Sequence, residues 1–225
     1  MLEIVTTLTI GATAGTLFAA VLGWLPVRSA ARLGLGAGVG VWVAVALAIT
    51  MSGALMHSRF ALPIFFMLPL IAAAVAATFP SVRRAMMAIP MSSIVALNAM
   101  RVLGVLMLTA ALTGVMSGPF PYAAGIGDIL TGVLALGVAR IAARKPNDVR
   151  VLEWNILGAL DLVVAVSLGA TYATGGASAA MTTLPWSIIP LCLVPTYLIG
   201  HALVFAHVRA ATIAANGSRT RFARA

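Results

Sequence analysis

Charge is what this 225-residue chain lacks. Asp, Glu, Lys and Arg together make up 8% of it, against roughly a quarter in a soluble domain. With 62% hydrophobic residues and a mean hydropathy of +1.09, the composition excludes a soluble globular protein and a disordered chain. Cysteine is nearly absent too. Cys192 alone excludes an intrachain disulfide. It sits in Pro190-Leu191-Cys192-Leu193-Val194, with no basic neighbour to make it reactive, and reads as inert. Lysine is reduced to Lys145, against thirteen arginines. Nucleotide-binding and hydrolase signatures are missing: no P-loop, no G-x-S-x-G, and no H-x-x-H or C-x-x-C metal spacing. This argues against an ATP-driven pump or a serine hydrolase in this chain, and no metal site is expected.

What remains is a net charge of +9. The basic residues lie between apolar runs without interleaved aromatics, so nucleic acid is not the expected partner. An Arg-rich, Ala-rich, Lys-poor composition points to a bacterial gene of high GC content. The start, Met1-Leu2-Glu3, lacks the basic region of a signal peptide, so the first apolar run is expected to stay as a membrane span.

Crossing the hydrocarbon takes about 20 apolar residues at 1.5 Å per residue. Seven runs qualify: about 4–25, 34–55, 61–79, 91–116, 123–141, 152–172 and 187–208. The expected fold is therefore all-α, a polytopic transmembrane bundle forming one integral membrane domain over residues 1–225. The third run is the weakest: it is short and carries Pro63 and Pro69, so it is expected to be kinked or re-entrant.

The loops support this count. With seven spans, 12 of the 14 basic residues share one side: Arg28 and Arg32; Arg83 and Arg84; Arg140, Arg144, Lys145 and Arg150; and Arg209, Arg219, Arg221 and Arg224. Arg59 stands opposite, and Arg101 lies inside a span. By the positive-inside rule the N-terminus is out and the C-terminus in. The expected location is a bacterial cytoplasmic (inner) membrane, with the lipid bilayer as the first partner.

Several local features are expected to follow. Asn147 or Asp148 caps span six. Pro195 cannot donate to the Leu191 carbonyl, so span seven bends there. Trp24, Tyr122, Trp154, Tyr172 and Trp186 fall near span ends and read as interfacial aromatics. Gly11 and Gly15 in span one, and Gly34, Gly36, Gly38 and Gly40 in span two, read as close-packing faces. Gly125-Ile-Gly127-Asp128 and Gly158-Ala-Leu-Asp161 place similar short patterns on two antiparallel spans, compatible with an inverted repeat.

Spans four to seven resemble small bacterial multi-pass inner-membrane proteins with no assigned activity. The resemblance rests on Arg101-x-x-Gly104, Gly127-Asp128, Trp154-Asn155-x-x-Gly158-x-x-Asp161-Leu162 and the His201 region. It implies a similar bundle and brings no reaction with it.

The informative residues are those that lipid rejects, at about 2.5–3.5 kcal/mol for an Arg or Asp at the bilayer centre. Arg101 lies about 15 Å, and Asp161 about 13.5 Å, from the same face by helical rise. An ion pair or a shared polar cavity is expected. Asn98 lies one turn from Arg101 on its helix face and reads as a further lining group. Asp128 reads as nearer the external face, about five residues into span five. His201, with Tyr197 one turn earlier, lies toward the internal end of span seven. Histidine ligates haem, carries protons or contacts substrate. No cofactor is expected, with haem at His201 the minor reading; His57 is at the opposite interface. Retinal is excluded, because the single lysine is in a loop.

Three functions stay open. The first is a small-solute or proton-linked carrier, with Arg101, Asp161 and Asn98 central, Asp128 and His201 on the two approaches, and a small polar or anionic solute. The second is a non-catalytic subunit beside a membrane-protein partner or a second copy. The third is a haem-handling or lipid-handling enzyme.

Overall fold

A computed structural model describes residues 2–25, 29–172 and 179–222, and among them every regular element is helical. Seven helices are long and apolar enough to cross a membrane. Span one is Leu2–Trp24, span two Ser29–Met51 and span three Ala61–Thr78. Span four covers Met91–Leu112, span five Phe120–Arg144 and span six Val149–Tyr172. Span seven joins a π-helical turn, Ile189–Leu193, to an α-helix, Val194–Phe222. A short helix, Pro80–Met87, connects spans three and four. Of the expected loop 173–186, residues 173–178 lie outside the described residues.

Irregular backbone occurs in two spans, and span three is not one of them. Span three is one continuous helix that contains Pro69. Span four instead changes to a 3₁₀-helix over Asn98–Gly104 before resuming as Val105–Leu112. Seven residues of 3₁₀ is long for that geometry. Its period of three places Asn98, Arg101 and Gly104 in one line, and these are the buried residues of the segment. An α-helix would spread the same three positions over about 120° of its circumference.

The second irregularity answers the proline in span seven. Pro195 has no N–H for the Leu191 carbonyl, and the ladder is π-helical at that point. The freed carbonyl accepts a hydrogen bond from Trp42 Nε1 of span two at 3.0 Å. Beside it, the Thr50 hydroxyl meets Ser187 Oγ at 3.0 Å. In hydrocarbon no water satisfies such a group, so the indole of another helix does so. This bond ties span two to the bundle.

The glycines expected to mediate close packing are not the ones that do. A Cβ on Gly11, Gly15, Gly34, Gly38 or Gly40 would meet nothing within 4 Å. Close approach occurs around the 3₁₀ segment. A Cβ on Gly104 would lie 2.7 Å from the Gly125 carbonyl, and one on Gly132 would lie 2.6 Å from the Val102 nitrogen. Gly125 and Gly132 are seven apart, two turns on one face of span five, and they receive the narrow 3₁₀ backbone. Trp154 and Trp186 are also not interfacial: they are 4% and 7% exposed and belong to the core.

The core has two main apolar layers along the bundle. One contains Met107, Phe120, Ala124, Leu162, Leu193 and Tyr197. The other contains Ile94, Val95, Ala135, Val151, Trp154 and Val204. On each of spans four to seven, the chain between these layers carries a polar group: Arg101, Asp128, Asp161 or His201. At the polar end, Asp148 caps span six as expected, with its Oδ1 accepting from the Arg150 backbone N–H at 3.1 Å. The Arg150 guanidinium also binds this carboxylate, at 3.0 and 3.1 Å. These hydrogen bonds hold the Asp148 carboxyl well below the ordinary carboxylate range.

Candidate functional site

The 3₁₀ line of span four aims Arg101 into the bundle, where it is 3% exposed. Its Nε donates to Asp128 Oδ1 of span five at 2.6 Å. Its Nη2 donates to Asp161 Oδ2 of span six at 2.5 Å. Its Nη1 donates to the Gly158 carbonyl at 3.2 Å and lies 3.1 Å from His201 Nε2. The guanidinium also lies 5.7 Å from the centre of the Tyr197 ring, within cation–π range. One cation thus joins spans four, five, six and seven.

The protonation of His201 follows from these partners. Arginine has only donors, so Nε2 of His201 accepts from Nη1. The ring proton is then on Nδ1, which lies 2.8 Å from Asn155 Oδ1 and donates to it. Asn155 Nδ2 in turn donates to the His201 carbonyl at 3.1 Å. His201 is therefore neutral in this arrangement. Trp154 packs against it at a tilt, with ring centroids 5.5 Å apart, and donates Nε1–H to the Thr131 carbonyl at 3.0 Å. Both ring nitrogens are engaged, so a haem iron would have to displace Arg101 or Asn155. The site does not fit that cofactor as it stands.

The balance of charge is unequal. Two carboxylates share one guanidinium, and the histidine is neutral. With both acids ionised, the cluster carries one negative charge in excess. One added proton or monovalent cation makes it neutral.

Glycines make the crowding possible. A Cβ on Gly127 would coincide with the Asp161 carboxylate. A Cβ on Gly158 would lie 2.6 Å from His201 Cε1 and 2.9 Å from Thr131 Cγ2. The paired Gly-x-x-Asp patterns thus bring both acids onto the same guanidinium from antiparallel helices. Gly158 also supplies its carbonyl to Arg101.

The Asp128 and Asp161 side chains are 24% and 11% exposed. A small cavity of about 80 Å³ reaches Arg101 and Asp128 and is lined also by Thr13, Met107, Phe120 and Tyr197. At about 30 Å³ per molecule it has room for two or three waters. The Tyr197 hydroxyl on its wall has no hydrogen-bond partner among the described residues.

The sequence-predicted residues fall into place unevenly. Arg101 and Asp161 meet as expected. Asp128 does not sit apart near the external face; it binds Arg101 directly. The helix begins at Phe120 rather than near 123, which puts Asp128 a little over two turns from its start. His201 is likewise part of the cluster and not a separate approach, with its Nε2 3.1 Å from Arg101 Nη1. Tyr197 packs on the guanidinium. Asn98 lines the same face but does not bond Arg101: its Nδ2 donates to the Ile94 carbonyl at 3.1 Å, and its Oδ1 has no partner among the described residues. Asn155 was missed as a site residue. Its signal was a buried amide six positions before Asp161, close to two turns along the same helix.

Residues 58–209, which contain the whole cluster, match the family described as a domain of unknown function, DUF8737. The chain belongs to this family. No match to it was found among curated proteins or solved structures. The DUF8737 match begins after spans one and two. The five remaining spans carry Arg101, Asp128, Asp161, His201, Tyr197 and Asn155, every side chain that builds the cluster.

Proposed function

We propose that this DUF8737 protein binds one proton or small monovalent cation at its buried Asp128–Arg101–Asp161 cluster and couples that binding to transport across the membrane. The observation that carries the reading is the unequal charge: one guanidinium between two carboxylates inside a membrane bundle. A purely structural lock needs one acid per arginine. A second acid adds a desolvation cost that a neutral residue would avoid. The cavity beside Asp128 offers a path for water, and the π turn of span seven and the 3₁₀ segment of span four provide irregular backbone around it.

The cluster argues for a proton or cation over an anionic solute, since Arg101 is already engaged by two acids, a carbonyl and a histidine. The arginine distribution supports an N-terminus-out, C-terminus-in orientation in a bacterial inner membrane. The test is flux in sealed proteoliposomes holding a pH-sensitive dye. The wild type moves protons, or exchanges them for an added alkali cation, under an imposed gradient. Asp161→Asn and Asp128→Asn each lower the flux at least tenfold while still inserting. Full flux in either variant, or none in the wild type, contradicts the reading.

A second reading, a non-catalytic subunit of a membrane complex, draws on one observation. Gly11 and Gly15 of span one and Gly34, Gly38 and Gly40 of span two face open space, as a face that packs on another chain would. A stoichiometric partner copurifying from gently solubilised membranes supports it, and a lone monodisperse protein contradicts it.

A further inference from the structure

On the far side of span seven from the charge cluster lies a groove of about 600 Å³. Leu70, Ala73, Ala74 and Ala77 of span three form one wall, and Leu198, Ala202, Leu203 and Ala206 of span seven form the other. The small alanines leave the space between the two helices unfilled. Each wall runs about 10–12 Å along its helix, from mid-span to the end that faces the Pro80–Met87 helix. That short helix closes the groove with Met86 and Met87 and places Arg83 and Arg84 at its mouth.

The two arginines are the second observation. Both are exposed, and neither has an ion-pair partner among the described residues. No acidic side chain lines the groove. In a bilayer this face meets lipid, so an acyl chain is the natural filling of the apolar part. Two adjacent guanidinium groups at the interface then select the headgroup, because they bind phosphate oxygens with charge-assisted hydrogen bonds. Basic pockets between spans at a membrane face are general sites for anionic lipid headgroups.

We infer that this groove holds one anionic phospholipid of the surrounding membrane, with an acyl chain between spans three and seven and its phosphate on Arg83 and Arg84. The site is separate from the charge cluster, and the inference does not rest on the transport reading. Span seven connects the two, since Leu198 and Ala202 line the groove while Tyr197 and His201 face Arg101.

The probes are dioleoyl phosphatidylglycerol and dioleoyl phosphatidylcholine, compared by native mass spectrometry of the full chain released from detergent. The wild type retains one phosphatidylglycerol in preference to phosphatidylcholine. Each arginine is worth about fivefold in that preference, so Arg83→Gln/Arg84→Gln lowers it about 25-fold, and Arg83→Lys/Arg84→Lys keeps most of it. Ala202→Phe fills the groove and removes the retained lipid of either headgroup, although both arginines remain. Arg144→Gln, a basic residue outside the groove, leaves the preference unchanged. An unaltered preference in the glutamine pair, an equal loss in Arg144→Gln, or a lipid retained by Ala202→Phe overturns the inference. The phenylalanine variant still decides the matter if the glutamine pair does not fold.

Discussion

A methyl group added at Gly127 is the sharpest perturbation of the cluster. Alanine in place of glycine inside a helix ordinarily stabilises by about 0.5–1 kcal/mol, since it restricts the unfolded chain. Gly137, on the same helix, has open space where a Cβ would stand, so Gly137→Ala should show that gain or no change. At Gly127 the same methyl meets the Asp161 carboxyl group. Aspartate is short, and its Oδ2 is held by Arg101 at 2.5 Å, so it cannot swing aside without leaving the guanidinium. Overpacking costs about 1–3 kcal/mol, and breaking a buried ion pair about 3–5 kcal/mol. Partial relaxation of spans five and six places the expected net loss for Gly127→Ala at about 2–4 kcal/mol. Reversible unfolding by sodium dodecyl sulfate titration in mixed micelles measures it, with Gly137→Ala as the matched control. Equal stability of the two variants would refute the geometry around Asp161.

Trp42→Phe leaves the Leu191 carbonyl without its donor and should cost about 0.5–2 kcal/mol in the same titration; no change would mean that the π turn of span seven needs no partner from span two. Asp148→Asn should weaken the start of span six and flatten the acid limb of the stability profile. The Arg150 hydrogen bonds lower the Asp148 carboxyl from its ordinary value. Its contribution is therefore complete above about pH 4 and is lost as pH falls through the lowered value. An acid limb that is identical in wild type and Asp148→Asn would contradict that coupling. His201→Phe should remove one of the two acceptors of Arg101 Nη1 and leave Asn155 Oδ1 without its donor, and cost about 1–3 kcal/mol for the group left unpaired; a variant as stable as wild type would contradict the network.

Much of this arrangement was legible in the chain. Span number followed from the length of apolar runs and from the one-sided arginines. The Arg101–Asp161 pair followed from equal depths at a fixed rise per residue. Asp128 lies deeper than the apolar run near 123 implies, because Pro119-Phe120-Pro121 starts the helix earlier. The 3₁₀ segment of span four had no warning, since Asn98-Ala-Met-Arg-Val-Leu-Gly104 contains no proline. It forms against the close glycines of span five, a tertiary cause that local pattern does not carry. Glycine spacing was ambiguous for the same reason. The open glycines of span two and the crowded Gly125 and Gly132 read alike until their neighbours are known.

The proposed function requires the cluster to carry one charge too many and to exchange one proton or cation to correct it. Infrared difference spectroscopy of the carboxyl C=O stretch, recorded on reconstituted protein through a pH titration, tests this most directly. The expected result is a single protonated carboxyl per chain that appears and disappears with pH, shifts with added alkali cation, and is absent in both Asp128→Asn and Asp161→Asn. Two carboxylates that stay ionised throughout, with no response to cation, would contradict it and leave Arg101 as a structural clasp among four helices.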